Sequence, residues 1–262
     1  MTKWVNINQI LYYLLIFVLG VGVLQALGIG FLFFFKRSGE KRANAFYGWL
    51  LITFGLTLLH NVFLISGWLE RFPILSYLPF YYSLAFPTLL FYYVKLNLYP
   101  KYHFIWSDVK HFILPVGQFL FFVLVLTTAT NYASPLKRNF YNPFFGAFEQ
   151  LLYLITFFLY MYFSRRYIVQ KRKEVNNRAE LRKILYLRIL IRVLFILFCV
   201  HTVFVVADFI CYEFFDINLR TVKPYAALGA LSFAALLFWL GIYGFQVLFW
   251  GRQVFGRFKG KG

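Results

Sequence analysis

The sequence predicts an all-α polytopic membrane protein with seven transmembrane helices, its N-terminus outside and its C-terminus in the cytoplasm. Three observations predict this fold class. The chain of 262 residues is 61% hydrophobic and only 14% charged, which is far from the composition of a soluble domain. Its apolar residues form seven long blocks, each near the roughly 20 residues that a helix needs to cross a bilayer. Its Lys and Arg residues fall mainly in alternate loops between the blocks, as the positive-inside rule expects.

Each block is predicted to be helical because a backbone polar group left unpaired in lipid costs several kcal/mol. We expect the helices at about 10–35, 44–66, 74–98, 111–130, 144–170, 185–212 and 222–250. The first block is longer than one crossing needs, so it should tilt or project. Pro87 lies inside the third block and predicts a kink there. The loops are short, and we expect residues 1–262 to form one membrane domain.

The distribution of the 27 Lys and Arg residues predicts the orientation. Twenty-one of them lie in the loops after blocks one, three and five and in the C-terminal tail, and six lie in the remaining loops and the N-terminal tail. The loops that hold the larger share should stay in the cytoplasm. This placement also explains the net charge of +18 without nucleic acid, so we expect no direct nucleic-acid binding by this chain.

The central segment 165–192 holds ten of these cations and only two acids. It can fix the orientation by binding anionic lipid headgroups, extend the fifth and sixth helices into the cytoplasm, or dock a cytoplasmic protein. The three interpretations are compatible, and we favour the first two. The candidate residues for headgroup or partner contact are Arg165, Arg166, Lys171, Arg172, Lys173, Arg178, Arg182 and Lys183.

Polar side chains inside the apolar blocks are the candidates for a binding site, because they are costly in lipid and usually face the protein interior. Thr57 and His60 share one stripe of the second block, and Gln118 is a single amide in the fourth. Ionisable groups in blocks two, five and six lie at similar depths, about four to seven residues from the outer ends. We predict a polar pocket or water-filled cavity open to the outer side, formed by His60, Asn61, Glu149, Tyr153, His201 and Asp208. The alternative is a buried hydrogen-bond network that holds the helices together.

A catalytic metal site is not expected. The seven-helix zinc hydrolases related to ceramidases carry Ser-x-x-x-His in the second helix and His-x-x-x-His in the last. Here Leu56 stands four residues before His60, and the seventh block contains no His. A zinc site needs three converging protein ligands. We therefore expect no enzymatic activity, no metal and no cofactor.

Four stretches of the chain are similar to one known family. They are KRSGEKRANAFYGWLLITFGLTLLH at 36–60, the Pro-containing stretch 79–95 that ends in Tyr-Tyr-Val-Lys, HFILP at 111–115 and LGIYGFQ at 240–246. Together they resemble the N-terminal membrane domain of polytopic AraC-type transcriptional regulators from Bacteroidota. In that family a helix-turn-helix DNA-binding domain follows the last membrane helix in the cytoplasm. The resemblance implies a bacterial inner-membrane location. This sequence ends about twelve residues after the seventh block, so we expect no DNA-binding domain in it.

These observations favour a non-enzymatic, receptor-like or signal-transducing module with an outer polar pocket and a basic cytoplasmic face. The alternative is a structural or assembly subunit of a larger membrane complex. A small-molecule transporter ranks third, because no repeat relates blocks one to three to blocks five to seven. The expected partners are anionic membrane lipids and a membrane or cytoplasmic protein.

Overall fold

The computed structural model describes residues 2–72, 74–75, 78–131, 147–217, 219 and 222–255. Helices make up most of this part of the chain, and it contains no strand, which confirms the all-α fold class. A 3-10 helix, Trp106–Phe112, leads directly into α5. The α-helices are α1 (Thr2–Phe35), α2 (Lys41–Ile65), α3 (Trp68–Arg71), α4 (Ala85–Leu98), α5 (Ile113–Asn131), α6 (Ala147–Glu174), α7 (Arg178–Phe215) and α8 (Lys223–Phe255).

Five helical stretches in the described residues are long and apolar enough to cross a bilayer. They are Gln9–Phe35, Lys41–Ile65, Trp106–Thr127, Arg178–Phe215 and Pro224–Phe249. Large apolar side chains on their surfaces, such as Leu24, Phe31 and Leu124, are exposed. Such continuous apolar surface suits hydrocarbon rather than water. The fold is therefore that of a multi-pass membrane protein.

Three turns that carry cations or adjoin cation-rich helix ends meet at one end of the helix bundle. We call this the basic end, and it holds the turns 36–40, 99–105 and 175–177. Arg42 at the start of α2 donates hydrogen bonds of 2.7 Å to the carbonyl oxygens of Pro100 and Tyr102. Lys171 near the end of α6 places its Nζ 4.9 Å from the centre of the Tyr99 ring. The predicted grouping of these loops is therefore present in the structure.

The opposite end of the bundle, which we call the far end, holds the turn that follows α2. There the Tyr12 hydroxyl on α1 donates a hydrogen bond of 2.7 Å to the carbonyl of Ile65, the last residue of α2. Consecutive long helices thus run in opposite directions between the two ends. This alternation is what a chain threaded repeatedly through a membrane requires.

The extent predicted for the third helix is wrong. The prediction was 74–98, whereas the helix in this region is α4, Ala85–Leu98. At 1.5 Å per residue, α4 is about 21 Å long, shorter than a hydrocarbon layer of about 30 Å. Pro87 is the third residue of α4 rather than an interior residue. A proline in the first turn removes an N–H that has no partner within the helix, so the predicted kink does not arise.

Helix α4 is the centre of the bundle. Every residue of α4 except Leu89 is buried, and the helix packs between α2 and α6. A helix that is apolar all round is typical of a position enclosed by other helices. Hydropathy alone assigns such a stretch to a lipid-facing span, which explains the error in its predicted length.

The residues just before α4, 78–84, are not α-helical. Side chains of neighbouring helices bond their backbone. The Thr57 Oγ1 accepts a hydrogen bond of 3.1 Å from the Tyr82 N–H, and the Gln118 Oε1 accepts one of 3.1 Å from the Leu84 N–H. Non-helical backbone at membrane depth is tolerated where protein encloses it and bonds its polar groups. Thr57 and Gln118 therefore make it possible for α4 to begin inside the bundle.

Replacing Thr57 with Val should lower the melting temperature of the purified protein, because the Tyr82 N–H then loses its acceptor inside the bundle. We expect a loss of about 1–3 kcal/mol in the free energy of unfolding, measured by thermal unfolding in detergent. Thr156→Val is the matched control. The Thr156 hydroxyl donates only to carbonyls of its own helix, so its loss should cost much less. Equal losses in the two variants would contradict the role given to Thr57.

Candidate functional site

Three buried polar side chains meet where α4 begins. The Ser83 Oγ donates a hydrogen bond of 2.9 Å to the Glu149 Oε1. The Gln118 Nε2 donates to the same Glu149 oxygen and, at 3.2 Å, to the Ser83 Oγ. All three residues are buried. We call this group the Glu149 triad.

The triad joins three parts of the fold through one carboxyl oxygen. Glu149 is the third residue of α6, where the helix dipole favours a negative group. Gln118 belongs to α5, and Ser83 belongs to the segment that precedes α4. Both donors are neutral and both point to Oε1, so an amide oxygen at the same place can accept the same two hydrogen bonds.

Two buried polar atoms close to the triad have no hydrogen-bond partner among the described residues. They are the His60 Nδ1 on α2 and the Tyr153 hydroxyl on α6. The His60 ring lies edge-on to the Tyr81 ring, with ring centres 6.3 Å apart. Tyr153 lies one turn after Glu149 on α6, and its side chain is only 4% exposed. A buried polar atom without a protein partner is uncommon and indicates a bound water or ligand.

The two remaining helices contribute a further polar contact. The His201 Nδ1 on α7 and the Ser232 Oγ on α8 form a hydrogen bond of 2.9 Å. The ring centres of His201 and Tyr153 are 6.4 Å apart, so this pair lies beside α6. We call the whole group the far-end cluster. It consists of His60, Tyr81, Ser83, Gln118, Glu149, Tyr153, His201 and Ser232.

The structure brings together four of the six residues predicted for the pocket: His60, Glu149, Tyr153 and His201. Asn61 is half-buried beside His60 on α2. Asp208 is half-buried about two turns beyond His201, towards the end of α7. Neither of these two forms part of the Glu149 triad or the His201–Ser232 pair. The pocket of six residues stays a prediction.

Sequence reasoning did not predict Ser83, Tyr81 or Ser232 as members of the cluster. Gln118 was noted only as an isolated amide. A buried amide in an apolar helix is itself a signal, because each of its polar atoms needs a partner. That signal indicates a polar neighbour but does not identify it. The irregular backbone at 78–84, which carries Tyr81 and Ser83, gives no separate sign in the sequence.

Within the described part of the chain, no three His, Cys, Asp or Glu side chains are grouped closely enough to hold a metal ion. The far-end cluster instead offers a carboxyl, two imidazoles, hydroxyls and an amide. Such a set can accept and donate hydrogen bonds to a small polar molecule or to water.

A second polar cluster lies at the basic end, around Asp108 in the 3-10 helix. Its carboxylate accepts hydrogen bonds from the Tyr92 hydroxyl at 2.8 Å, the Tyr102 hydroxyl at 2.7 Å and the Ile105 N–H at 2.9 Å. The Lys95 Nζ lies 3.4 Å from it. Burial and the bond to Asp108 raise the pKa of Tyr102 to about 12. This group, the Asp108 cluster, fastens the end of α4 to the loop that follows it.

The predicted basic segment lies on two long helices. Helix α6 continues to Glu174 and α7 begins at Arg178, so only three residues separate them. The prediction that helices five and six continue beyond the apolar blocks is therefore confirmed. Of the eight candidate contact residues, six are exposed and two are half-buried. The exposed residues are Arg165, Arg166, Arg172, Lys173, Arg178 and Arg182, and the half-buried ones are Lys171 and Lys183.

Comparison with known proteins identifies no relative of this chain. No protein-family model matches the chain, and no curated protein or solved structure matches it.

Substitutions at Glu149 should separate its hydrogen bonding from its charge. Glu149→Gln keeps an acceptor oxygen for Ser83 and Gln118, so the free energy of unfolding should change by less than about 1 kcal/mol. Glu149→Leu leaves both donors unpaired in the interior and should cost about 2 kcal/mol or more. Thermal unfolding of both variants in the same detergent measures the difference. A Gln variant as unstable as the Leu variant would contradict this geometry.

Proposed function

We propose that this chain is a non-enzymatic, receptor-like module that crosses a bacterial inner membrane seven times, with its N-terminus outside and its C-terminus in the cytoplasm. In this proposal the far-end cluster faces the outer side and binds a small polar signal molecule. One observation carries the proposal: the His60 Nδ1 and the Tyr153 hydroxyl are buried without a partner among the described residues. They lie beside a carboxyl and a second imidazole that a polar ligand can also contact.

The count of seven crossings rests on two helices beyond the five long apolar ones. Helix α6 has 28 residues and is about 42 Å long, more than a bilayer requires. Helix α4 is short, but the enclosed segment 78–84 extends its path towards the far end. The orientation is supported by the cations gathered at the basic end, because such loops remain in the cytoplasm.

A route for the signal is available through α4. Its first turn follows Ser83 and Leu84, which Glu149 and Gln118 hold. Its last turn carries Lys95, which belongs to the Asp108 cluster. A ligand that alters hydrogen bonding at the far end would shift a rigid helix of about 21 Å and thereby alter the loop 99–105. Arg42, which bonds that loop, would pass the change to α2 and the basic surface.

The receiving partner would then bind at the basic end. The exposed cations of α6 and α7 give this end a positive surface suited to anionic lipid headgroups and to an acidic face of a protein. The resemblance to the membrane domain of AraC-type regulators supports the same direction of signalling, from the outer side to the cytoplasm.

Cysteine labelling in whole cells should reveal both the orientation and the pocket. Cys199 and Cys211, the two free thiols, are first replaced with Ala. A membrane-impermeant maleimide should then label Glu70→Cys in intact cells, and Lys173→Cys only after the membrane is permeabilised, because both positions are exposed at opposite ends. Label at Lys173→Cys in intact cells would refute the proposed orientation.

A small, membrane-impermeant thiol reagent should reach the cluster from outside if the cluster is hydrated. His60→Cys should react in intact cells, whereas Leu58→Cys, which is fully buried on the same helix, should not. A small charged thiosulfonate is the probe, since it reacts only with thiols that water can reach. If His60→Cys is as inert as Leu58→Cys, the cluster is a closed hydrogen-bond network and the protein is better explained as a structural subunit.

Coupling through α4 can be measured without knowing the ligand. Gln118→Leu removes the acceptor of the Leu84 N–H, so amide exchange should quicken at residues 99–105 as well as near α4. A coupling of about 1 kcal/mol corresponds to roughly fivefold faster exchange. Hydrogen–deuterium exchange with mass spectrometry on the purified protein is the measurement.

Ser232→Ala is the control for this experiment. It removes a buried contact between α7 and α8 that does not involve α4, so exchange at 99–105 should stay as in the original protein. Similar acceleration in both variants would indicate general loosening and would contradict transmission through α4.

A further inference from the structure

A cavity of about 310 Å³ opens at the basic end, between the end of α1 and the start of α2. One side is apolar and aromatic, and the other carries three cations. None of the described residues that line it is a carboxylate. The lining residues are Phe33, Phe34, Phe35, Lys36, Arg37, Lys41 and Ala45.

The position of this cavity is that of a bilayer interface. The apolar stretch Gln9–Phe35 ends where the cations begin, so the change from hydrocarbon to water falls within the cavity. Phe31, Leu32 and Phe35 are exposed on the adjoining surface of α1, where acyl chains would lie. A molecule with an anionic head and apolar tails matches both sides of the cavity.

Lys36 lies close enough to Lys183 of α7 for the two ammonium groups to repel each other. The Lys36 Nζ lies 5.4 Å from the centre of the Phe33 ring, and Lys36 is only half-exposed. Burial is the larger of two causes that lower the pKa of Lys36 to about 8, and repulsion from the nearby Lys183 ammonium is the smaller. Repulsion between like charges of this kind is relieved by a bound anion.

We propose that this cavity binds the phosphate of an anionic phospholipid from the leaflet at the basic end, one lipid per chain. Lys36, Arg37 and Lys41 would contact the phosphate, with Lys183 adding charge from α7, while the acyl chains follow the outer face of α1. This site shares only the membrane location with the function proposed above. It does not require the far-end cluster to bind a ligand.

The test measures binding of dioctanoyl phosphatidylglycerol to the purified protein in a neutral detergent, by native mass spectrometry and by titration of the melting temperature. We expect saturable binding of one molecule per chain, and much weaker binding of dioctanoyl phosphatidylcholine, whose choline cancels the phosphate charge. Arg37→Gln with Lys41→Gln should weaken binding of the anionic lipid roughly 30-fold, at about 1 kcal/mol per cation. Both side chains are exposed, so this variant should still fold.

Lys101→Gln with Lys110→Gln is the matched control, because it removes the same charge from exposed positions outside the cavity. Its affinity should stay within about twofold of the original protein, a change of about 0.4 kcal/mol. Equal weakening in both double variants would overturn the site in favour of diffuse attraction, and so would an absence of saturable binding. Inorganic phosphate that competes at the same concentration as the lipid would identify a free anion as the ligand and overturn the lipid. Labelling of His60→Cys is independent of all these outcomes, so failure here leaves the far-end cluster untouched.

Discussion

The bonding of backbone polar groups in a place without water is the constraint on which the rest of this structure depends. Most of the chain meets it with long helices, which bond their own backbone. The segment 78–84 does not, and it survives because Thr57 and Gln118 bond the N–H groups of Tyr82 and Leu84. Loss of these two side chains would leave buried donors unpaired at about 1–3 kcal/mol each. The short central helix α4 can begin inside the bundle because these two hydrogen bonds are made.

This constraint also explains why polar groups gather at the far end. Where the backbone departs from a helix, neighbouring helices must supply acceptors and donors, and the Glu149 triad is part of that supply. In a purely structural network, each polar group would have a hydrogen-bond partner. The far-end cluster differs, because the His60 Nδ1 and the Tyr153 hydroxyl are buried without a partner among the described residues. Bonded and unbonded polar groups therefore lie on neighbouring side chains of the far-end cluster.

How far the sequence could predict this fold depends on what surrounds each helix. The helices α1, α7 and α8 carry many exposed apolar side chains, and hydropathy located them and α2 to within a few residues, apart from longer projections at their ends. Helix α4 is enclosed by protein, and the apolar residues before it are equally hydrophobic, so composition could not show where helix gives way to irregular backbone. His60 and Glu149 could be predicted because ionisable groups in lipid are costly. Their partners Tyr81 and Ser83 could not, since they lie in that irregular segment.

The two polar clusters on α4 differ in a way that bears on function. At the basic end, four donors surround the Asp108 carboxylate, so that cluster is saturated and fixes the loop 99–105 against α4. At the far end, the Glu149 carboxyl receives two neutral donors on one oxygen, and nearby polar atoms still have bonding capacity. A saturated cluster holds its geometry, whereas an unsaturated one changes geometry when a new partner arrives. The rigid helix α4 joins the two clusters. One of its ends is therefore attached to an unsaturated polar cluster and the other to a saturated one. In the function proposed above, that asymmetry would favour signalling from the far end towards the basic end over the reverse direction.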